Sequence, residues 1–209
     1  MTLEFQNAIQ ITTLCLLFVM GIARTIVLKL RNIHVFVLDS QMTKTQHING
    51  IFFIICLLMW LFESISYSLS LNCHIPFSVF DVLKIQHTGI KIFGIIVLVF
   101  GLLIYATALY SFQNSWRIGI DREKPGRLIT NGIFKYSRNP IYVSLDLLVL
   151  GTFLLQGQFV FLVLFVAMAI SLHIQILQEE SFLIQTYGDS YSQYQSKVSR
   201  YLNIKLFFR

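Results

Sequence analysis

The chain has 209 residues, of which 56% are hydrophobic and only 12% are charged, with a net charge of +6. A soluble globular domain carries about a quarter charged residues, so this composition excludes an ordinary soluble domain, a disordered chain and a coiled coil. The three cysteines show no CxxC spacing, which argues against a zinc site and a disulfide framework. The composition therefore predicts an integral membrane protein.

Long apolar runs in chain order predict five transmembrane helices. The first three runs cover residues 8–30, 48–71 and 89–110. No basic residue precedes the first run, so it is expected to stay in the mature chain rather than act as a signal peptide. The region 141–177 is too long for one crossing, and its interruption at residues 156–158 predicts a helical hairpin. The predicted fold class is an all-α integral membrane protein whose last two helices form that hairpin.

The basic residues cluster in the segments that five crossings would place on one side of the membrane. By the positive-inside rule this side is cytoplasmic, which puts the N-terminus outside and the C-terminus in the cytoplasm. Four crossings with a re-entrant last region would spoil this asymmetry. Membrane topology thus explains the positive charge, and no nucleic-acid partner is expected. The residues concerned are Lys29, Arg31, Lys44, Arg117, Arg122, Lys124, Arg127, Lys135, Arg138, Lys197, Arg200, Lys205 and Arg209.

A shift in composition near residue 111 divides the chain into three N-terminal membrane helices, residues 1–110, and a more polar part, residues 111–209, where chemistry is expected. Asn139 followed by Pro140 predicts the N-cap and first residue of the fourth helix. A helix N-terminus beside Arg138 is suited to bind a carboxylate or a phosphate. The alternative is that these basic residues only bind anionic lipid headgroups.

Adjacent carboxylates, Glu179 and Glu180, follow the last apolar run. At the edge of a membrane they are costly unless they meet a cation, and Arg138 is the nearest candidate. The pairing could be a structural link between loop and tail, or part of a catalytic site.

Glu63 and Asp146 are the other carboxylates within the apolar runs, and His173 lies in the last of these runs. Glu63 could hydrogen-bond to a neighbouring helix, and Asp146 could line a pocket. His173 has no second His or Cys at ligand spacing, so no metal site is predicted. The tyrosines at 187, 191, 194 and 201 are interpreted as an interfacial belt.

Two motifs resemble one known family. Residues 127–142 read RLITNGIFKYSRNPIY, and residues 179–201 read EESFLIQTYGDSYSQYQSKVSRY. Both resemble the signature segments of the isoprenylcysteine carboxyl methyltransferase family and its relatives among membrane phospholipid methyltransferases. They occur in the family's order and are separated by a hairpin of the expected size.

This resemblance implies an enzyme with a cytoplasmic site for S-adenosyl-L-methionine and a lipidic or prenylated substrate that enters from the bilayer. Arg138 and Glu180 match positions expected to be catalytic, and Tyr191 and Tyr194 would shape the site. Many relatives carry His at the position of Asn139, and because Asn does not titrate near neutral pH, no general base is expected there. The residues expected to bind the cofactor are Leu128, Gly132, Phe134, Arg138, Asn139, Pro140, Tyr142, Glu179, Glu180 and Leu183.

The resemblance favours carboxyl methylation of an isoprenylated cysteine or a similar prenylated thiol acid. A carboxylate nucleophile needs no base, so Arg138 would orient it, whereas an amine would need one, and Glu180 is then the candidate. The alternatives are phospholipid N-methylation, and a non-enzymatic scaffold or carrier that retains the fold. Oligomeric state is left open.

Overall fold

The computed structural model describes residues 1–33, 43–75, 86–112 and 127–202. Within these ranges all regular structure is helical and there are no strands. A short 3₁₀ helix, Gly132–Lys135, lies between the third and fourth α-helices. The six α-helices are α1 Leu3–Leu30, α2 Lys44–Ser68, α3 Thr88–Ser111, α4 Pro140–Gln156, α5 Phe159–Tyr187 and α6 Asp189–Lys197.

Four helices, α1, α2, α3 and α5, are long and apolar enough to cross a membrane. Large apolar side chains such as Val19, Ile96 and Leu103 are more than half exposed on their outer faces, as expected of surfaces that contact acyl chains. The predicted all-helical, multi-pass membrane protein is confirmed at this level. Helix α4 has 17 residues and is about 25 Å long, slightly less than the roughly 30 Å hydrocarbon core, so the count of five crossings stays a prediction.

The predicted apolar runs match the helices in order and position. The helices extend beyond the runs, because their end turns contain polar residues that a hydropathy pattern leaves out. Helix α1 begins at Leu3 and includes the buried Gln6. Helix α2 begins at Lys44 behind a capping box in which the Thr43 and Gln46 side chains bond to each other's backbone N–H groups. Helix α5 continues ten residues past position 177, through both glutamates, to Tyr187.

The predicted hairpin is confirmed as α4 and α5, joined through Gly157 and Gln158. Gly157 has a φ of +74°, in the left-handed region that glycine tolerates best. Its backbone N–H donates to the Phe153 carbonyl at 2.7 Å. This tight turn places the start of α4 near the end of α5.

Helices α3 and α4 approach closely because glycines lie at their contact. A Cβ added to Gly94 would lie 2.8 Å from the backbone nitrogen of Leu155, and one on Gly151 would lie 2.7 Å from Leu98 Cγ. Small residues let membrane helices gain van der Waals contact along their backbones. The contact fixes α4, and with it the loop that precedes it.

Polar side chains join other helix pairs. Asn49 donates to the Ser171 carbonyl at 3.2 Å, linking α2 to α5. Gln10 donates to Thr152 Oγ1 at 3.2 Å, linking α1 to α4. In an apolar environment such groups need partners, so the bonds favour one helix arrangement.

Glu63 has a different partner from the one predicted. Its fully buried carboxylate lies 3.2 Å from His74 Nδ1 and accepts a hydrogen bond from the Ile75 backbone N–H. Both partners belong to the segment that follows α2 rather than to a neighbouring helix. Glu63 therefore links α2 to the segment that follows it.

We expect Gly94→Ala to lower the thermal unfolding midpoint, because its Cβ would collide with the backbone of α4. Overpacking costs about 1–3 kcal/mol. Gly50→Ala in α2 is the matched control, because a Cβ there meets nothing within 4 Å. Unfolding in detergent measures both, and equal midpoints would contradict the close α3–α4 contact.

Candidate functional site

The two motifs meet where α4 begins and α5 ends. Glu180, only 4% exposed, lies between two arginines. Arg138 Nη2 is 2.9 Å from Glu180 Oε1, and Arg200 Nη2 is 2.8 Å from Oε2. Of the two adjacent glutamates, Glu180 is the one that contacts Arg138. These three side chains are called the Glu180 site below.

Arg200 is the part of the site that sequence reasoning missed. Its Nε is also 3.1 Å from Glu180 Oε2, so one carboxylate oxygen accepts two bonds from this guanidinium. The hydrogen bond to Glu180 raises the pKa of Arg200 above its usual value, which keeps the side chain charged. In the sequence, the only indication of a role for Arg200 is its position in the second motif, after Tyr191 and Tyr194.

Arg138 retains hydrogen-bonding capacity. Its side chain is 6% exposed, yet Nε and Nη1 have no hydrogen-bond partner among the described residues. Buried donors are normally satisfied, and guanidinium N–H groups bind carboxylates and phosphates strongly. The arrangement can therefore accept an additional anionic ligand group.

Asn139 is the N-cap of α4, and the helix begins at Pro140, as predicted. Its side chain does not cap the helix. Instead, Nδ2 donates to the Arg200 carbonyl at 3.1 Å and lies 3.5 Å from Glu180 Oε1. The Arg138 N–H also donates to the Ser199 carbonyl at 3.1 Å, so the start of α4 holds the chain around Arg200 in place.

Glu179 has neutral partners. Tyr142 donates its hydroxyl proton to Glu179 Oε1, and Gln175 Nε2 donates to the same oxygen at 3.0 Å. Consecutive helical residues point about 100° apart, so the two glutamates reach different surroundings. Glu180 is neutralised by cations, whereas Glu179 joins α4 to α5 through uncharged donors.

A second cluster, called the aromatic wall below, contains several of the predicted residues. Phe134, Tyr191, Tyr194 and Val198 are buried together, with Leu128 and Leu183 packed against them. Gly132 has a φ of +61°, and an added Cβ would lie 2.6 Å from Ser111 Oγ. A side chain at this position would strain the backbone and displace the Ser111 side chain, so glycine suits the place where the loop packs against the end of α3.

The interfacial-belt interpretation is wrong for two of the tyrosines. Tyr191 and Tyr194 are 1% and 8% exposed, and the Tyr194 hydroxyl donates to the Phe134 carbonyl at 2.7 Å. Burial raises the pKa of Tyr191 to about 12 and also raises the pKa of Tyr194 above its usual value. Both phenols therefore remain protonated donors at neutral pH.

His173 and Asp146 lie beside the last described turn of the tail. His173 Nδ1 is 2.5 Å from the Tyr201 hydroxyl, and the two rings are stacked. Burial, followed by the negative charge of Asp146, raises the pKa of Tyr201. Asp146 Oδ1 is buried with no hydrogen-bond partner among the described residues, so this carboxylate is available for chemistry.

The cytoplasmic orientation and the roles of the matched residues stay predictions. The described basic residues Lys29, Arg31 and Lys44 lie at the ends of α1 and α2. Five others from the predicted cytoplasmic set lie outside the described residues, namely Arg117, Arg122, Lys124, Lys205 and Arg209.

These features define a class: a multi-pass helical membrane protein with an enclosed ionic site where two helices meet. Residues 90–190 match the family described as phospholipid methyltransferase. A stretch of 78 residues, 37% of this chain, is 42% identical to a protein of Schizosaccharomyces pombe named protein-S-isoprenylcysteine O-methyltransferase. Just under half of the chain, from α3 to the start of α6, is therefore similar to the phospholipid methyltransferase family.

The aligned stretch covers 33% of the yeast protein's own length. The family match spans α3, the hairpin and the start of α6. The Arg138–Glu180 pair falls within it, together with Phe134 of the aromatic wall. Tyr191, Tyr194, Val198 and Arg200 lie beyond its end.

We expect Tyr194→Phe to lower the free energy of unfolding by about 1–3 kcal/mol, because it leaves the buried Phe134 carbonyl without its donor. Tyr110→Phe is the control, since Tyr110 is 83% exposed. Chemical denaturation in detergent gives the comparison. If the two variants were equally stable, the Tyr194 bond would not anchor the loop.

Proposed function

We propose that this chain transfers a methyl group from S-adenosyl-L-methionine to a lipidic substrate at the membrane. The observation that carries the proposal is the Glu180 site, which joins the two motifs and in which two Arg138 donors have no partner among the described residues. The family match and the yeast relative both support methyl transfer.

The residues fit the cofactor's charges. S-adenosyl-L-methionine carries a sulfonium cation and an amino-acid carboxylate, and when bound it supplies an activated methyl group. Nε and Nη1 of Arg138 would hold a carboxylate, and Glu179 and Glu180 would offset a positive charge. A cationic ligand at Glu180 would compete with Arg200 for Oε2. We therefore propose that Arg200 neutralises this oxygen until the cofactor binds.

The proposed topology has five crossings, counting α4, with the N-terminus outside and the Glu180 site at the cytoplasmic face. The basic ends of α1 and α2 support this orientation by the positive-inside rule. A lipidic substrate would reach the site from the bilayer. The chain's task would be to align the acceptor with the methyl group and to exclude water.

We propose an isoprenylated cysteine or a similar prenylated thiol acid as the first candidate substrate, because the yeast relative is named for that acceptor. Its carboxylate is ionised at neutral pH and needs no base. Arg138 would orient either this carboxylate or that of the cofactor, depending on which enters first.

A phospholipid amine is the second candidate, favoured by the description of the matching family. An amine must lose a proton, and both Glu180 oxygens are already held by arginines. Asp146 has a buried oxygen with no hydrogen-bond partner in the described part of the chain. For this substrate we propose Asp146 as the base in place of Glu180.

We expect S-adenosylhomocysteine to bind the purified protein and to bind Arg138→Ala at least about tenfold more weakly, because a bond to a charged group contributes about 1.5–3 kcal/mol. Glu180→Gln is expected to weaken binding as well. Arg127→Ala, which removes an exposed arginine of the same motif, is the control. Calorimetry on folded variants gives the affinities, and unchanged binding in both site variants would contradict the proposed cofactor site.

We expect membranes that contain the protein to incorporate label from a methyl-labelled donor into lipid that releases methanol in alkali, as a methyl ester does. Alkali-stable label would instead indicate N-methylation, and Asp146→Asn should then abolish incorporation. A scaffold or carrier would be favoured by two results together. No lipid would become labelled, and Glu63→Gln and Asp146→Asn would impair the protein's function in cells more than Glu180→Gln.

A further inference from the structure

A non-helical stretch of the chain crosses the Glu180 site. Helix α6 ends at Lys197, and residues 199–201, called the strap below, pass the start of α4 and the end of α5. Val198, which precedes the strap, is 9% exposed and packs in the aromatic wall. The chain is therefore anchored at Val198, and any movement of the strap begins after this residue.

Three contacts of the strap end on the Glu180 site and on its neighbour Asn139. The Ser199 carbonyl accepts from the Arg138 N–H at 3.1 Å. The Arg200 carbonyl accepts from Asn139 Nδ2 at 3.1 Å. The Arg200 guanidinium donates to Glu180 Oε2 at 2.8 and 3.1 Å. The strap therefore covers the groups that the proposed cofactor would need.

The site is closed in this arrangement. Glu180 is 4% exposed and the Arg138 side chain is 6% exposed, so a ligand carboxylate can reach the Arg138 donors only if part of their surroundings moves. Among the described residues around the site, those of α4 and α5 are held by helical hydrogen bonds, whereas those of the strap are not. Segments with few backbone hydrogen bonds open at the lowest free-energy cost, which favours the strap as the part that moves.

The fourth contact of the strap lies away from the Glu180 site. His173 Nδ1 is 2.5 Å from the Tyr201 hydroxyl, and the two rings are stacked. Burial raises the pKa of Tyr201, so the phenol keeps its proton and donates it to the neutral imidazole. His173 precedes Glu180 by seven residues, or about 10 Å along α5. This contact therefore ties the strap to α5 without using a group of the site.

We propose that the Tyr201–His173 contact is a latch on the strap, and that it must release before the cofactor can enter or leave the Glu180 site. This inference rests on the proposed function, because it requires the cofactor to bind there. Tyr201 and His173 are positioning residues that act through Arg200, since they hydrogen-bond to each other rather than to a group of the site.

The position of the latch determines which quantity it controls. Because the contact uses no group of the Glu180 site, it can form with the ligand present or absent. A weaker latch then lowers the barrier to passage in both directions. The rates of binding and release should change more than the affinity, whereas a contact that only stabilises the occupied site would change the affinity.

Opening of the strap is tested by hydrogen exchange of the full chain in detergent, without any ligand. The Arg138 N–H donates to the Ser199 carbonyl of the strap, so its exchange reports the opening. We expect Tyr201→Phe to speed this exchange by about two- to tenfold, the equivalent of one hydrogen bond. Tyr110→Phe is the matched control, because Tyr110 is 83% exposed. Equal exchange in the two variants would overturn the strap.

The latch is tested by the kinetics of S-adenosylhomocysteine binding to the same protein. We expect Tyr201→Phe and His173→Leu to raise the association and dissociation rates by about three- to tenfold, with Kd changed less than about twofold. His173→Gln should behave like the wild type, because its side-chain oxygen can still accept the Tyr201 proton. Tyr110→Phe is again the control.

Faster exchange at Arg138 together with parallel increases in both rates supports the proposal. Unchanged rates, or a raised dissociation rate alone with weaker affinity, would overturn the latch and leave the proposed function intact. If His173→Leu fails to fold, Tyr201→Phe decides. If the wild type binds no S-adenosylhomocysteine, the proposed function and the latch on cofactor entry are both wrong, and exchange at Arg138 still decides whether the strap opens.

Discussion

The burial of one carboxylate organises the polar end of this molecule. Removing a charged group from water costs several kcal/mol unless cations and hydrogen bonds compensate it. At Glu180 the compensation comes from Arg138, before α4, and from Arg200, after α6, so three distant parts of the chain must meet. Breaking such a buried pair costs about 3–5 kcal/mol, which makes Glu180 a structural requirement as well as a proposed functional group.

Contacts among the apolar helices determine where Arg138 and Glu180 lie. The glycine contact of α3 with α4 and the tight turn at Gly157 set where α4 starts. The Asn49–Ser171 bonds hold α5 against α2. Because these contacts are short and directional, they define the relative height of α4 and α5. Arg138 and Glu180 can then meet at a hydrogen-bonding distance.

The Glu180 site contains both signs of charge. Its carboxylate lies between two arginines, and two Arg138 N–H donors have no partner among the described residues. Glu179 lies next to Glu180 in the sequence, so this end of the helix bundle has groups suited to an anionic group and to a positive ligand.

The sequence alone determined the class of the protein. Apolar runs located the helices α1 to α5, and the break at residues 156–158 located the hairpin. The two motifs indicated the resemblance to membrane methyltransferases, and the adjacent glutamates after the last apolar run indicated Arg138 as a partner. These features follow from local composition and short-range pattern, which hydropathy and residue spacing record directly. Tertiary structure decided the partners. Arg200 pairs with Glu180, and Tyr142 donates to Glu179. Asn139 donates to the Arg200 carbonyl instead of capping its helix, and Tyr194 is buried. These contacts join residues far apart in the chain, and their geometry depends on how closely the helices pack, which no local pattern encodes.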